Sequence, residues 1–126
     1  MQVLISIEGL QRFEAWIDDS NSETCKGFRE ALPIEGEVMR WGDEIYFFVD
    51  FKAPLERGAR SAMNVGELAY WPHGPALAIF FGPTPASKGK EPVAASDCNV
   101  IGRTNASPEM LRKARENAKI IIDAKG

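Results

Sequence analysis

The sequence has few of the residues that build metal centres or disulfide frameworks. Its 126 residues include two cysteines, Cys25 and Cys98, and a single histidine, His73. The cysteines stand far apart and form no Cys-x-x-Cys pair, so we predict no zinc site and expect no cofactor. With no signal peptide recognisable, two reduced thiols in a cytoplasmic protein are the simplest interpretation. Whether the two cysteines lie close enough for a disulfide stays open.

An excess of one charge and long apolar runs are also missing. The formal net charge is −3, and acidic and basic residues are interspersed along the chain. Nucleic-acid-binding modules usually present a basic stripe, so we do not expect a nucleic acid as a partner. No apolar run approaches the roughly 18 residues that a membrane span requires. A membrane is therefore not expected as a partner either.

The common catalytic motifs are absent as well. The chain has no Gly-x-Ser-x-Gly elbow for acyl transfer. The segment Lys88-Gly89-Lys90 does not meet the spacing of a phosphate-binding loop. By residue chemistry alone, the sequence therefore predicts a fold and a binding surface rather than a reaction.

What the sequence does contain is the composition of a globular domain. Apolar residues make up 44% and charged residues 26% of the chain, close to the globular averages. Its length fits one domain over residues 1–126. Such a chain can bury a sizeable single core.

Eight segments have the short apolar or alternating patterns that are typical of strands. They are residues 2–7, 12–17, 36–41, 45–51, 67–71, 76–81, 93–103 and 119–123. One helix is predicted to begin with a capping box of Ser20 and Glu23 and to stop at Pro33. A second is predicted to begin at Ser107-Pro108. Strands at this spacing favour a mainly β fold, a closed eight-stranded antiparallel barrel capped by two short helices.

The predicted strand at residues 45–51 is apolar on both of its faces. Ile45 and Phe47 fall on one face, and Tyr46 and Phe48 fall on the other together with Glu44. Such a strand is either covered on both sides or has one face that lines a cleft. Glu44, Tyr46 and Phe48 are therefore candidate ligand-binding residues, with simple packing or a solvated turn as the alternative.

A proline-bracketed hairpin is the clearest local feature of the chain. Residues 67–71 and 76–81 read as its strands, joined by Pro72-His73-Gly74-Pro75. Trp71 and His73 stand at its tip, which makes both candidate ligand-binding residues. The alternative for His73 is a solvated turn residue, because no partner ligand stands at metal-binding spacing.

Three motifs, in this order, give the chain a family resemblance. They are residues 40–47 (RWGDEIYF), 66–85 (GELAYWPHGPALAIFFGPTP) and 99–103 (NVIGR). Together they resemble the small prokaryotic cyclophilin-like proteins, a family of unknown function, over nearly the whole chain. The resemblance implies the cyclophilin fold, an eight-stranded antiparallel barrel capped by two helices.

The resemblance also implies a residue for peptidyl-prolyl isomerisation. Cyclophilins that isomerise peptides use an arginine that hydrogen-bonds the prolyl nitrogen as the amide twists. Arg40 is the arginine in a comparable setting, although the residues that follow it differ from the isomerase pattern. The alternative is a surface arginine paired with Glu37 or Glu44.

Three functional hypotheses follow from these observations. The first is a module that binds a small molecule or a peptide in a cleft on the outer barrel face. The second is a divergent peptidyl-prolyl isomerase that uses Arg40 as its catalytic residue. The third is an interaction protein that dimerises through exposed aromatic residues, so that a monomer and a homodimer both stay open. The residues expected in the cleft are Arg40, Glu44, Tyr46, Phe48, Trp71 and His73.

Overall fold

The structure, a computed structural model, describes residues 1–125. Within that range the chain forms ten strands and two helices. The strands are β1 (Gln2–Ile7), β2 (Phe13–Ile17), β3 (Ile34–Glu37), β4 (Met39–Arg40), β5 (Glu44–Phe48), β6 (Arg60–Ala62), β7 (Glu67–Trp71), β8 (Ala76–Phe80), β9 (Val93–Thr104) and β10 (Lys119–Ala124). The helices are α1 (Glu23–Ala31) and α2 (Pro108–Leu111). The prediction of a mainly β fold with two short helices is confirmed.

The strands form one antiparallel sheet. Their order is β3-β10-β1-β2-β9-β7-β8-β5-β4, and β6 pairs with β9 beside this path. The prediction of a closed, eight-stranded barrel was wrong. Over residues 1–125 the end strands β3 and β4 are not paired with each other, and the sheet has ten strands.

One extended segment, residues 34–40, supplies both ends of this sheet. Its first half, β3, pairs with β10, and its second half, β4, pairs with β5. Between the halves, Val38 donates its N–H to the Ala118 carbonyl and accepts from the Asn117 N–H. Because this segment changes its pairing partner at Val38, it forms two strands, whereas the sequence pattern predicted a single strand at residues 36–41. The other additional strand, β6, lies in a segment that lacks a clear period.

Both helices begin at a serine cap. Ser107 accepts a hydrogen bond from the Met110 N–H and is followed by Pro108, as predicted. For α1 the predicted capping box at Ser20 was wrong, because Ser22 is the residue whose side chain accepts from the Cys25 N–H. The shift of two residues leaves the first turn capped in the same way.

The sheet packs against apolar residues on both of its faces. A large cluster fills one side and includes Ile45 and Phe47 of β5, both at most 1% exposed. A smaller cluster lies on the other side, where Tyr46 packs against a core that includes Ala78 and Phe80 of β8. The members of this core are Met63, Ala69, Ala78, Phe80, Ala94 and Cys98. The period-two alternation of β5 and β8 divides their side chains between these clusters.

Two buried polar side chains hold the segment between β5 and β6. The Tyr70 hydroxyl donates to the Phe51 carbonyl at 3.0 Å. The Asn99 amide donates to the Pro54 carbonyl at 2.9 Å and accepts from the Glu56 N–H at 2.9 Å. These bonds satisfy main-chain groups of an irregular segment and fix its path toward β6.

Arg40 holds the turn between β4 and β5 against the chain that follows α2. Its guanidinium donates to the carbonyls of Arg112 at 3.0 Å, Ala114 at 2.9 Å and Gly42 at 2.9 Å. Asp43 lies 3.8 Å from the Arg40 guanidinium and accepts from Arg112 Nε at 3.0 Å. The Phe81 ring lies 5.4 Å from the Arg40 guanidinium carbon. Arg40 is thus a structural link between segments that are distant in sequence.

We expect Arg40→Ala to lower the free energy of unfolding by about 3 kcal/mol, because it removes three hydrogen bonds from a charged guanidinium to main-chain carbonyls, one of which is partly buried. Arg40→Lys should recover less than half of that loss, since an ammonium cannot reproduce the planar fork of donors. Urea denaturation measures both variants against Arg57→Ala, which removes an exposed arginine. A loss for Arg40→Ala no larger than that of Arg57→Ala would show that the link contributes nothing.

Candidate functional site

The outer face of the β5–β8 pair combines large and small side chains. The register sets Glu44 opposite Phe80, Tyr46 opposite Ala78 and Phe48 opposite Ala76. Because the side chains of Ala76 and Ala78 are short, the β5 side chains project further from the sheet than this part of β8 does. The result is a depression with the β5 side chains as one wall.

The other walls come from β7, β9 and the turn before β5. Trp71 of β7 stands next to Ala76 in the ladder, and its indole N–H donates to the Ser96 hydroxyl of β9 at 2.7 Å. Trp41 lies in the tight turn before β5, where Gly42 takes a positive φ of 61°, a conformation that glycine adopts without steric cost. These elements enclose a cleft of about 390 Å³. Its lining residues are Trp41, Glu44, Tyr46, Phe48, Trp71, Ala76, Ala78, Ala94, Ala95 and Cys98.

Glu44 is the one acidic or basic residue in this lining. The residue is 9% exposed, and no group in residues 1–125 donates a hydrogen bond to its carboxylate. Burial therefore raises the pKa of Glu44 from 4.5 to about 7, because desolvation disfavours the charged form. Near neutral pH this carboxyl exists in both protonation states, as a hydrogen-bond donor and as a negative acceptor.

Cys98 lies in the same cleft as a buried thiol. Burial raises its pKa to about 12, with smaller contributions from the carboxylates of Glu44 and Asp97. A thiol with so high a pKa is a poor nucleophile at neutral pH. Cys25 is also a free, buried thiol and belongs to the large cluster, whereas Cys98 belongs to the small one. Cys98 therefore contributes shape to the cleft rather than reactivity.

Four of the six predicted site residues come together in the cleft. They are Glu44, Tyr46, Phe48 and Trp71. His73 is exposed at the hairpin tip and contacts Trp71 edge-on, with the ring centroids 5.9 Å apart. The structure places His73 outside the lining.

Arg40 is also outside the lining, because its guanidinium donates to main-chain carbonyls near α2. Its carboxylate neighbour is Asp43 rather than the predicted Glu37 or Glu44. The sequence prediction placed Arg40 in the cleft because the resemblance offered no other arginine in a comparable setting. Two of the three carbonyls that hold it lie more than 70 residues away in the chain, so no local pattern pointed to them.

Sequence reasoning missed Trp41 and the small residues of the cleft. Trp41 falls in the predicted strand at residues 36–41, whereas in the structure it lies in the turn after β4 and lines the cleft. The alanines at positions 76 and 78 share one strand face, and this was the available signal for a depression. Ala94, Ala95 and Cys98 reach the site only through the long-range pairing of β9 with its neighbours.

Two further findings bear on the class of site. Among residues 1–125, no three His, Cys, Asp or Glu side chains are grouped in a way that could hold a metal ion. Over the same residues, neither helix has the length and apolar character needed to cross a membrane.

The titration of Glu44 should make stability depend on pH. The folded-state pKa is raised from 4.5 to about 7, so the folded protein binds this proton more tightly than the unfolded chain does. The stabilisation from this proton is fully present below about pH 4.5 and is lost as the pH rises through 7, a change of about 3 kcal/mol. The free energy of unfolding of Glu44→Gln, relative to that of the wild type, should therefore rise by about 3 kcal/mol as the pH increases from about 4.5 to about 7.

Urea denaturation at a series of pH values measures this difference. Glu35→Gln is the matched control, because Glu35 has a side chain that is 61% exposed. A difference between Glu44→Gln and the wild type that stays constant from about pH 5 to pH 8 would contradict the shifted titration of Glu44.

A solved protein structure has the same fold as this chain. A hypothetical protein from Archaeoglobus fulgidus, solved in solution, superposes on this chain with a TM-score of 0.82 at 32% sequence identity. The superposition covers 99% of this chain and 95% of that one. A search of curated proteins finds no match.

The family assignment rests on a match along nearly the whole chain. Residues 1–123 match the family model described as cyclophilin-like. The solved relative has the same fold over almost its full length. The chain therefore belongs to the cyclophilin-like family.

Proposed function

We propose that this protein is a binding module that holds a small molecule or a short peptide segment in the cleft lined by Glu44 and its aromatic neighbours. The single observation that carries the proposal is the Glu44 carboxyl, which is 9% exposed and has no hydrogen-bond donor among residues 1–125. Buried polar groups normally have a hydrogen-bond partner in the protein or in ordered water. A carboxyl that faces an apolar cleft without a partner is therefore suited to a partner from outside.

The size and composition of the cleft support this proposal. Its volume of about 390 Å³ falls within the range of roughly 300–1,000 Å³ that ligand pockets occupy. Trp41, Tyr46, Phe48 and Trp71 offer apolar surface for a ring or a short chain. Ligand sites commonly combine such apolar walls with a small number of polar groups that set orientation.

The rigidity of one wall adds to this support. The hydrogen bond from the Trp71 indole to Ser96, at 2.7 Å, fixes the indole against β9. Tyr46 and Phe48 pack edge to face, with centroids 6.0 Å apart and planes at 90°. A cleft whose aromatic side chains are already ordered loses little conformational entropy when a ligand enters.

A divergent peptidyl-prolyl isomerase is the second hypothesis, and the geometry disfavours it. That chemistry needs a donor aimed at the prolyl nitrogen of a proline held in an apolar pocket. The residues that line the cleft include no arginine, and Arg40 donates to carbonyls of the chain after α2. We therefore expect no acceleration of X-Pro isomerisation in a protease-coupled assay.

Filling the cleft should abolish binding without unfolding the protein. Ala95 lines the cleft and is exposed, so Ala95→Phe places a ring in the cleft rather than in the core. In a titration followed by amide NMR, we expect indole or N-acetylprolinamide to shift the amides of β5, β8 and the first half of β9. A dissociation constant of about 1 mM is expected for such small probes.

Ala62→Phe is the matched control, because Ala62 is an exposed alanine on β6 that does not line the cleft. Binding should persist in this control and vanish in Ala95→Phe. The proposal fails if neither probe shifts these amides in the wild type, or if Ala95→Phe binds as well as the control does.

A further inference from the structure

We propose that the cleft selects a small organic cation, in which an ammonium or amidinium group contacts Glu44 and an apolar body lies among the aromatic side chains. This inference rests on the proposed function and names the chemical class of its ligand. Three features of the structure carry it: the charge of the lining, the aromatic walls, and the hydrogen bonds and ion pair that already engage the side chains of Arg40 and Arg112.

The charge of the cleft is of one sign. The lining holds one carboxylate and no lysine, arginine or histidine. An anionic ligand would meet the Glu44 carboxylate with no compensating group, and like charges at short range in a partly buried site repel strongly. A cation would supply the charge-assisted hydrogen bond that Glu44 does not obtain from the protein.

The nearby cations are already engaged elsewhere. The Arg40 guanidinium donates to the carbonyls of Arg112 and Ala114. The Arg112 side chain forms an ion pair with Asp43 at 3.0 Å. In this arrangement neither arginine neutralises Glu44, and that role is left for a ligand.

The aromatic residues add a second reason to favour a cation. Trp41, Tyr46, Phe48 and Trp71 all line the cleft around the same small volume. The face of an aromatic ring attracts a cation, and tryptophan does so most strongly. Four aromatic rings with one carboxylate therefore attract an organic cation through two independent interactions.

The protonation state of Glu44 should control this selectivity. The other ionisable groups around it are the Cys98 thiol and the Asp97 carboxylate of β9, the Tyr46 phenol of β5 and the paired Asp43 in the preceding turn. Opposite Glu44, β8 presents Phe80, which does not titrate. Since a cation stabilises the ionised carboxylate, its affinity should rise with pH through the Glu44 titration, whereas the affinity of a neutral ligand should not rise.

The experiment compares three probes of nearly equal shape: benzylamine, benzyl alcohol and benzoate. Each is titrated into the full chain and followed by amide NMR at about pH 5.5 and about pH 8. Benzylamine stays protonated over this range, as alkyl amines such as lysine do. At the higher pH we expect benzylamine to bind about tenfold more tightly than benzyl alcohol, and benzoate to bind more weakly than either. At the lower pH the preference for benzylamine should shrink several-fold.

Two variants separate the contribution of the Glu44 charge from that of the aromatic rings. Glu44→Gln keeps the shape of the side chain but cannot ionise, so the ratio of the benzylamine affinity to the benzyl alcohol affinity should fall to about one and lose its dependence on pH. Phe48→Leu removes an aromatic ring from a side chain that is 56% exposed, so the fold should tolerate it. This variant should weaken benzylamine about threefold more than benzyl alcohol.

The outcomes distinguish this inference from the proposed function. If benzyl alcohol or benzoate shifts the cleft amides with equal or higher affinity than benzylamine, the cation inference is overturned while the binding module stands. If Glu44→Gln keeps the preference for benzylamine, the assigned role of Glu44 is overturned. If no probe shifts the cleft amides, the proposed function fails and the inference fails with it.

Discussion

The burial of both faces of β5 is the constraint on which the rest of this structure depends. On one face, Ile45 and Phe47 pack into the large cluster. On the other, Tyr46 packs against a cluster in which Ala94 and Cys98, in the first half of β9, cover Ala78 and Phe80 of β8. This outer cover stops short of the β5 edge, where Phe48 is 56% exposed. The cleft is the part of the outer face that the cover leaves open.

The position of Glu44, a largely buried carboxyl in the lining of this cleft, has an energetic cost that the fold does not require. Burial disfavours its charged form and raises its pKa to about 7, so an ionised Glu44 destabilises the folded state. A glutamine or an apolar residue in the same place would avoid that cost. Local choices that oppose stability are concentrated at functional sites. This cost supports the proposal that the carboxyl serves a ligand rather than packing.

Local patterns in the sequence predicted the features that depend on neighbouring residues. The hairpin of β7 and β8 followed from two strand-like segments joined by a proline-bracketed turn, and the common face of Glu44, Tyr46 and Phe48 followed from their parity. The features that failed depend on distant partners. Arg40 bonds to carbonyls more than 70 residues away, and the segment 34–40 divides between β10 and β5. β6 is three residues long and is defined by its pairing with β9 rather than by a pattern of its own.

Membership of the cyclophilin-like family settles the fold but not the chemistry, because function resides in the site that a fold carries. In cyclophilins that isomerise peptides, an arginine beside the bound proline hydrogen-bonds the prolyl nitrogen and draws its lone pair out of amide resonance. In this cleft the polar group is Glu44, a carboxyl that becomes negative as the pH rises. The arginine that could have reversed this polarity holds the β4–β5 turn to the chain after α2 instead. The polarity of the cleft is thus the opposite of that of an arginine-based isomerase site, and it is complementary to the cation that we propose as its ligand.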